Sequence, residues 1–293
     1  MKRKNKNGQS NIRLLSRLEK GICSGVLNVI MIIFSFSCIF PIIWMISSSL
    51  KEKRAFNADI IGLPKDPTFE NYISLFTNSD YQIGRSVFNS IIITVLSVSL
   101  IVFLGFIIGY IISRIKFKGR RILYGLFLLG MLIPIHSLLV PMYILFTKTH
   151  LSNQWFTLLF PYVSLGLPIA IFLIDGFIKG VPVELEEAAA IDGSSFSRTL
   201  FTIMLPVCRP ILSTVGIIQS FACWNEFSFA LVLIKDKAYQ TVPLALTQFT
   251  GQFSSNYPKI MAAMLLTMLP VVIFYFMFSK QIIKGMVAGA VKG

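Results

Sequence analysis

Charge is scarce in this chain. Charged residues make up 14% of its 293 positions, with only 13 acidic residues against 27 basic ones. A soluble domain carries about 25%. A single soluble core of this length could not shelter a chain that is 55% hydrophobic, so the bilayer is the natural solvent. Four cysteines, Cys23, Cys38, Cys208 and Cys223, form no CxxC pair and lie in or beside apolar stretches. That excludes a disulfide framework and a thiolate metal site, and reads as small buried hydrophobes. The two histidines, His136 and His150, have no metal-ligand spacing, so no metal site is expected. There is no GxxxxGK[ST] loop, so any ATP chemistry must come from another chain. No Ser-His-Asp or Cys-His constellation is present, and no catalytic residue is assigned. A net charge of +14 would suit nucleic acid, but the basic residues flank apolar runs instead of forming one polar face, and no nucleic-acid partner is expected.

What the chain has is long apolar runs. The first, Gly21 to Leu50, is free of charge. It exceeds the roughly 7–15 residues of a signal-peptide core and no small-residue cleavage site follows, which predicts an uncleaved anchor. Further runs predict helices near 24–48, 86–112, 122–146, 155–175, 209–233 and 260–279, each close to the about 20 residues a bilayer requires. Prolines inside several of them do not veto the spans, because neighbouring helices and water can satisfy the freed carbonyls. The expected fold is an all-α membrane protein of six transmembrane helices. Lys and Arg number 18 on the side that holds both termini and 9 on the other, so both termini are expected to be cytoplasmic. The expected organisation is a cytoplasmic segment 1–23, a permease domain 24–280 and a cytoplasmic tail 281–293. Lys51–Arg85 is the largest external loop. Gly105 and Gly109 form a GxxxG that permits close helix approach without naming a partner, and Trp44 and Trp155 near span ends suit an interfacial belt.

The loop between spans four and five, 181–207, carries the most information. Pro182 suits a first helical turn. Glu184, Glu186 and Glu187 complement a helix N-terminus, and Ala188–Ala190 favour helix. Gly193 suits a left-handed stop. Ser194 or Ser195 can cap a second short helix running through Phe196, Leu200, Ile203 and Met204, with Pro206 expected to end it. The result is a helix–turn–helix rich in carboxylates, which an anionic lipid surface would disfavour and a basic groove on a partner protein would accept.

Glu187-Ala188-Ala189, Gly193, Ile203 and Leu205-Pro206 stand at the spacing of the EAA loop of ATP-binding-cassette importer permeases, with Asp192 beside the glycine. The chain resembles the binding-protein-dependent, carbohydrate-importing permeases of the maltose-permease, MalG-like type. Supporting pieces are Asn71-Tyr72 with Leu75-Phe76, Asn89-Ser90, Pro161-Tyr162, Leu167-Pro168, Trp224-Asn225-Glu226-Phe227 and the terminal Gly289–Gly293. A departure is Ile169 after Pro168, where many relatives carry Phe. The resemblance implies a multi-pass subunit of a bacterial cytoplasmic membrane that moves a sugar or oligosaccharide by alternating access and has no ATPase site of its own. It implies a second permease subunit, two ATPase subunits carrying ATP and Mg, and an extracytoplasmic solute-binding protein. Glu187, Ala188, Ala189, Asp192 and Gly193 would couple to the ATPase, and Gly289, Val291, Lys292 and Gly293 would reach its dimer interface. The segment Tyr239–Tyr257 would reach toward the binding protein.

Gln219, Trp224, Asn225 and Glu226 form a polar and aromatic cluster in span five. They are candidates for a substrate path, against structural or gating roles. Two other readings stand beside the sugar importer: a permease for a peptide or amino acid using the same coupling loop, and an ion-driven secondary transporter. The latter needs intramembrane carboxylates, and Glu226 is the one the span assignment offers.

Overall fold

The computed structural model describes residues 6–77, 82–249 and 256–290, with side chains from 24 to 278 within them. Every regular element among them is helical. Two compact units divide the chain, one made of 1–71 and 257–262, the other of 72–256 and 263–293.

In the first unit, α1 (Lys6–Ser49) carries a span over Ser24–Ser49. Its side chains are largely exposed, Cys38 among them, as expected of a helix whose surroundings are lipid. Cys38 is therefore not the buried hydrophobe the sequence suggested. Trp44, at the end of this span, is tied down: its Nε1 donates to Ile60 O at 2.9 Å and its ring meets Phe56. The connection that follows, with α2 (Lys53–Ala58), is fixed by polar side chains. Lys51, 2% exposed, donates to Asp59 O at 2.7 Å, and Asn71 donates to Ser49 O and Lys51 O at 2.8 and 2.9 Å. Backbone carbonyls away from water need such donors.

The second unit begins in α3 (Glu70–Thr77) and is built around α4 (Ile83–Arg114) and α7 (Leu159–Ile178). A β-carbon on Gly105 would sit 2.9 Å from Ala170 Cβ, and one on Gly109 would sit 2.9 Å from Ile174 Cγ2. The GxxxG thus has a partner within this chain, and Ile101, Ala170, Ile171 and Ile174 close the seam with no exposed surface. Gly109→Leu should force these helices apart at a cost of about 1–3 kcal/mol. The expected readout is a lower melting midpoint of the purified protein in detergent, with a smaller drop for Gly109→Ala.

The third span differs from the single helix expected over 122–146. It is a pair, α5 (Arg120–Gly130) and, after a 3-10 turn at Ile135–Leu138, α6 (Leu139–Lys148), bent by 94°. Pro134 explains the break. It has no N–H for the carbonyl of Gly130 and disfavours helix at Ile133. Its backbone is extended, at φ −62° and ψ 123°. α5 packs on α7, and α6 packs on α10 (Ser228–Leu233), the short helix that follows the fifth span. Counted with this pair, the described residues hold six candidate spans, five of them continuous: Ser24–Ser49, Ile83–Arg114, Leu159–Ile178, Phe196–Trp224 and Tyr257–Phe278.

The fifth span, α9 (Phe196–Trp224), also departs from expectation. The second helix of the loop is not short, and Pro206 does not end it. Thr199–Met204 form a π turn, in which Leu205 N–H reaches back five residues to Leu200 O. The wider turn takes up the proline ring that would otherwise strike the carbonyl of Thr202. The helix then runs on to Trp224, nine residues short of the expected end at 233. Beyond it, α11 (Val242–Ala245) packs on α4, with Ser90 Oγ accepting from Val242 N at 2.8 Å. The last helix is α12 (Tyr257–Ala290).

Candidate functional site

The α7–α9 connection holds α8 (Glu184–Ile191), which starts two residues after Pro182, with Val183 at its N-cap. Its carboxylates lie in the first turn, where free N–H groups and the helix dipole favour them. Its end is a Schellman turn. Gly193, at φ +75°, bonds Ala190 O at 3.0 Å, and Ser194 N bonds Ala189 O at 2.9 Å. Ser195 Oγ then accepts from Arg198 N at 3.4 Å and caps the next helix, so the expected stop and cap are both present.

The turn–helix has two faces. On the inner one, Ala189 is buried and Glu186 is held by two side chains. Glu186 Oε1 accepts from Arg114 Nε at 2.7 Å, and Oε2 accepts from Tyr110 OH at 2.7 Å. Arg114 Nη2 also donates to Val181 O at 2.7 Å. One guanidinium at the end of α4 therefore clamps both the entry and the body of α8. On the outer face, Glu184, Glu187, Ala188 and Ile191 stand at helical spacing and are all exposed, with Ile191 87% exposed. Asp192 and Gly193 are exposed beside them. Thus Glu187, Ala188, Asp192 and Gly193 share an open surface, while Ala189 faces inward.

Sequence reasoning missed Arg114 and Tyr110, and treated Glu186 only as a dipole partner. A pairing between residues 72 positions apart leaves no local signal. It also missed Asp175, which it left at the edge of span four. Asp175 is 1% exposed within α7, with Oδ2 2.6 Å from Lys179 Nζ, and that ammonium stands over the Tyr124 ring. The i, i+4 spacing of Asp175 and Lys179 was the available clue.

The span-five candidates separate. Gln219 is buried and donates to Gly166 O at 3.4 Å. Glu226 caps α10, its Oε1 accepting from Phe229 N at 2.7 Å and its Oε2 from Ala230 N at 3.3 Å, and it also accepts from Tyr162 OH at 2.9 Å. This cap is what breaks the expected long helix at Asn225. Asn225 is exposed, its Nδ2 on Phe221 O. Trp224 alone lines a cavity of about 330 Å³ between α4, α9 and α12, with Thr94, Ser99 and Ser220 as its hydroxyl groups. Of the tail, Gly289 belongs to the end of α12, and Val291, Lys292 and Gly293 lie outside the described residues.

A multi-pass helical bundle with a clamped, carboxylate-bearing helix between two of its spans defines the class: a membrane transport permease. Residues 101–287 match the family described as binding-protein-dependent transport system inner membrane component. The chain belongs to that family, as a multi-pass inner-membrane permease of an ATP-binding-cassette system whose ATPase activity lies on partner subunits. It is 39% identical over 254 residues, 86% of this chain and 91% of the relative, to a putative ABC transporter permease protein of Caldicellulosiruptor. It is 35% identical over 264 residues, 89% of this chain and 94% of the relative, to the trehalose/maltose transport system permease protein MalG of Thermococcus litoralis. Its fold is that of a chain in a bacterial ABC transporter involved in the import of alginate, with a TM-score of 0.80 at 21% identity, covering 89% of this chain and 97% of the other.

Proposed function

We propose that this permease carries a sugar or oligosaccharide into the cell by alternating access, driven through α8 by a separate ATPase. The two-faced α8 carries the reading: one face is fixed to α4 by Arg114, and the other offers Glu184, Glu187, Ala188 and Ile191 to a partner. A helix so anchored moves as a rigid body with its spans, which is what transmission of an ATPase movement requires. The sugar assignment is supported by the trehalose/maltose relative. In this reading the partners are a second permease, two ATPase subunits that hold ATP and Mg, and a solute-binding protein outside. The tail Gly289–Gly293 meets the ATPase pair. Trp224, beside Thr94, Ser99 and Ser220, is the span-five candidate whose ring is free to meet a sugar face, whereas Gln219 and Glu226 are committed to the protein's own groups.

The test is purification of the intact complex with identification of the ATPase and of the ligand held by the binding protein. A saccharide is the expected cargo, and a peptide or amino acid would overturn the sugar assignment. Topology is tested separately. In a cysteine-free background, Ala188→Cys should react with a membrane-impermeant maleimide only from the cytoplasmic side, and Lys65→Cys only from outside. The reverse pattern would remove α8 from reach of any ATPase.

A further inference from the structure

Between α4 and α5, residues 114–121 place five cations in eight positions: Arg114, Lys116, Lys118, Arg120 and Arg121. Two are committed, Arg114 to Glu186 and Arg120 to the carbonyl of Ser113 at 3.0 Å. Lys116, Lys118 and Arg121 are exposed, and neither ion pair found among the described residues includes them. The loop folds around a concave space of about 380 Å³ lined by Lys116, Phe117, Gly119, Arg120, Arg121 and Ile122, with Lys118 on the same turn but outside that lining. Gly119, at φ +90°, makes the turn, and no side chain caps the N-terminus of α5 there.

A second feature adjoins this cup. Ile122, Leu126 and Leu129, spaced i, i+4, i+7, run down α5 from its rim and are 71%, 60% and 57% exposed. A soluble or protein-facing anion site has no use for an uncovered apolar track leading straight out of it. A molecule with an anionic head and a hydrocarbon tail uses both. Positive residues at span ends also orient a membrane protein, but that function requires neither a cup nor an adjoining track.

We propose that the α4–α5 loop is a binding site for an anionic phospholipid. The headgroup phosphate sits between Lys116 and Arg121, Lys118 adds its charge from the same turn, and an acyl chain lies along Ile122, Leu126 and Leu129. Arg114 extends from the same loop to clamp α8, so an occupied site steadies the end of α4 on which the coupling helix is mounted. Basic groups near a membrane surface each contribute roughly five-fold to binding an anionic lipid, so three together are worth about 100-fold.

The experiment uses the whole transport complex in phosphatidylcholine nanodiscs containing a minor fraction of photoreactive phosphatidylglycerol, with crosslinks mapped by mass spectrometry. Crosslinks are expected within 115–129, unchanged by added inorganic phosphate and not matched by photoreactive phosphatidylcholine. Lys116→Gln/Lys118→Gln/Arg121→Gln should abolish them, while Lys116→Arg/Lys118→Arg should retain them. If the triple variant fails to insert, Arg121→Gln alone decides, with an expected loss of about five-fold. Full displacement by phosphate would reveal a free-anion site, and equal labelling by phosphatidylcholine a mere lipid-facing surface. Unchanged labelling in the neutralised variants, or loss of the co-purifying ATPase with labelling intact, would assign the cations elsewhere. Any of these results overturns the proposal.

Discussion

Glu187→Lys is expected to abolish ATP-driven uptake while leaving the chain inserted in the membrane. Glu187 is exposed and makes no contact that holds α8 in place, so reversing its charge leaves the fold intact. What changes is the outer face, which in the proposed function meets a basic groove of the ATPase, and there a lysine is a like charge. Losing one partner of a desolvated charge pair at an interface costs about 2–5 kcal/mol, roughly 30-fold or more in affinity for the ATPase. Gly193→Pro should reach the same endpoint by another route. Proline cannot adopt φ +75° and has no N–H to donate to Ala190 O, so the turn that aims α8 is lost at about 3 kcal/mol or more. The measurement is uptake and ATPase co-purification for both variants, alongside a check of membrane insertion. Full ATP-dependent uptake by both would show that α8 does not couple.

The second large effect is expected from the opposite face. Arg114→Ala removes a guanidinium that is 13% exposed, and leaves Glu186, 15% exposed, without its cation and Val181 O without its donor. Breaking such a pair from one side costs about 3–5 kcal/mol when fully buried, and the lower end applies at this exposure. That loss should free α8 from α4 without unfolding the α4–α7 seam, which is held by apolar packing around Gly105 and Gly109. Hydrogen exchange should therefore rise across 181–193 and stay low across 101–112, with uptake lost. Tyr110→Phe, which deletes one hydrogen bond to the same carboxylate, should have the same pattern at a smaller size. Unchanged exchange across 181–193 in Arg114→Ala would mean that α8 is held by something else.

The helix α8 was legible because its determinants are local. A first turn of glutamates, an alanine run, a glycine stop and a serine cap lie within a dozen residues and need no distant partner. The same holds for the existence of the spans, which hydrophobic length alone requires. The misreadings share one cause. Pro206 read as a stop because a proline in sequence has no visible remedy, and the remedy is a π turn formed over Thr199–Met204. The third span read as one helix because an apolar run does not reveal which of its prolines breaks it. Glu226 stood as a candidate for a substrate path against a structural role, and its oxygens accept from Tyr162 and from the backbone of α10, in keeping with the structural one. Asp175 was passed over because a single carboxylate at the end of an apolar run looks like a boundary, although it lies 1% exposed beside Lys179 and Tyr124.

By itself, the sequence determined that this chain lies in a membrane as helices, which of its segments span, and that one loop holds a short, carboxylate-rich capped helix. Those properties follow from composition, run length and short-range capping chemistry. Tertiary structure decided which face of that loop is free. Glu186 and Glu187 are neighbours in sequence with the same side chain, and only the arrival of Arg114 and Tyr110 from the end of α4 makes one an anchor and leaves the other exposed. That choice depends on bringing together residues about seventy positions apart, and no local pattern encodes it.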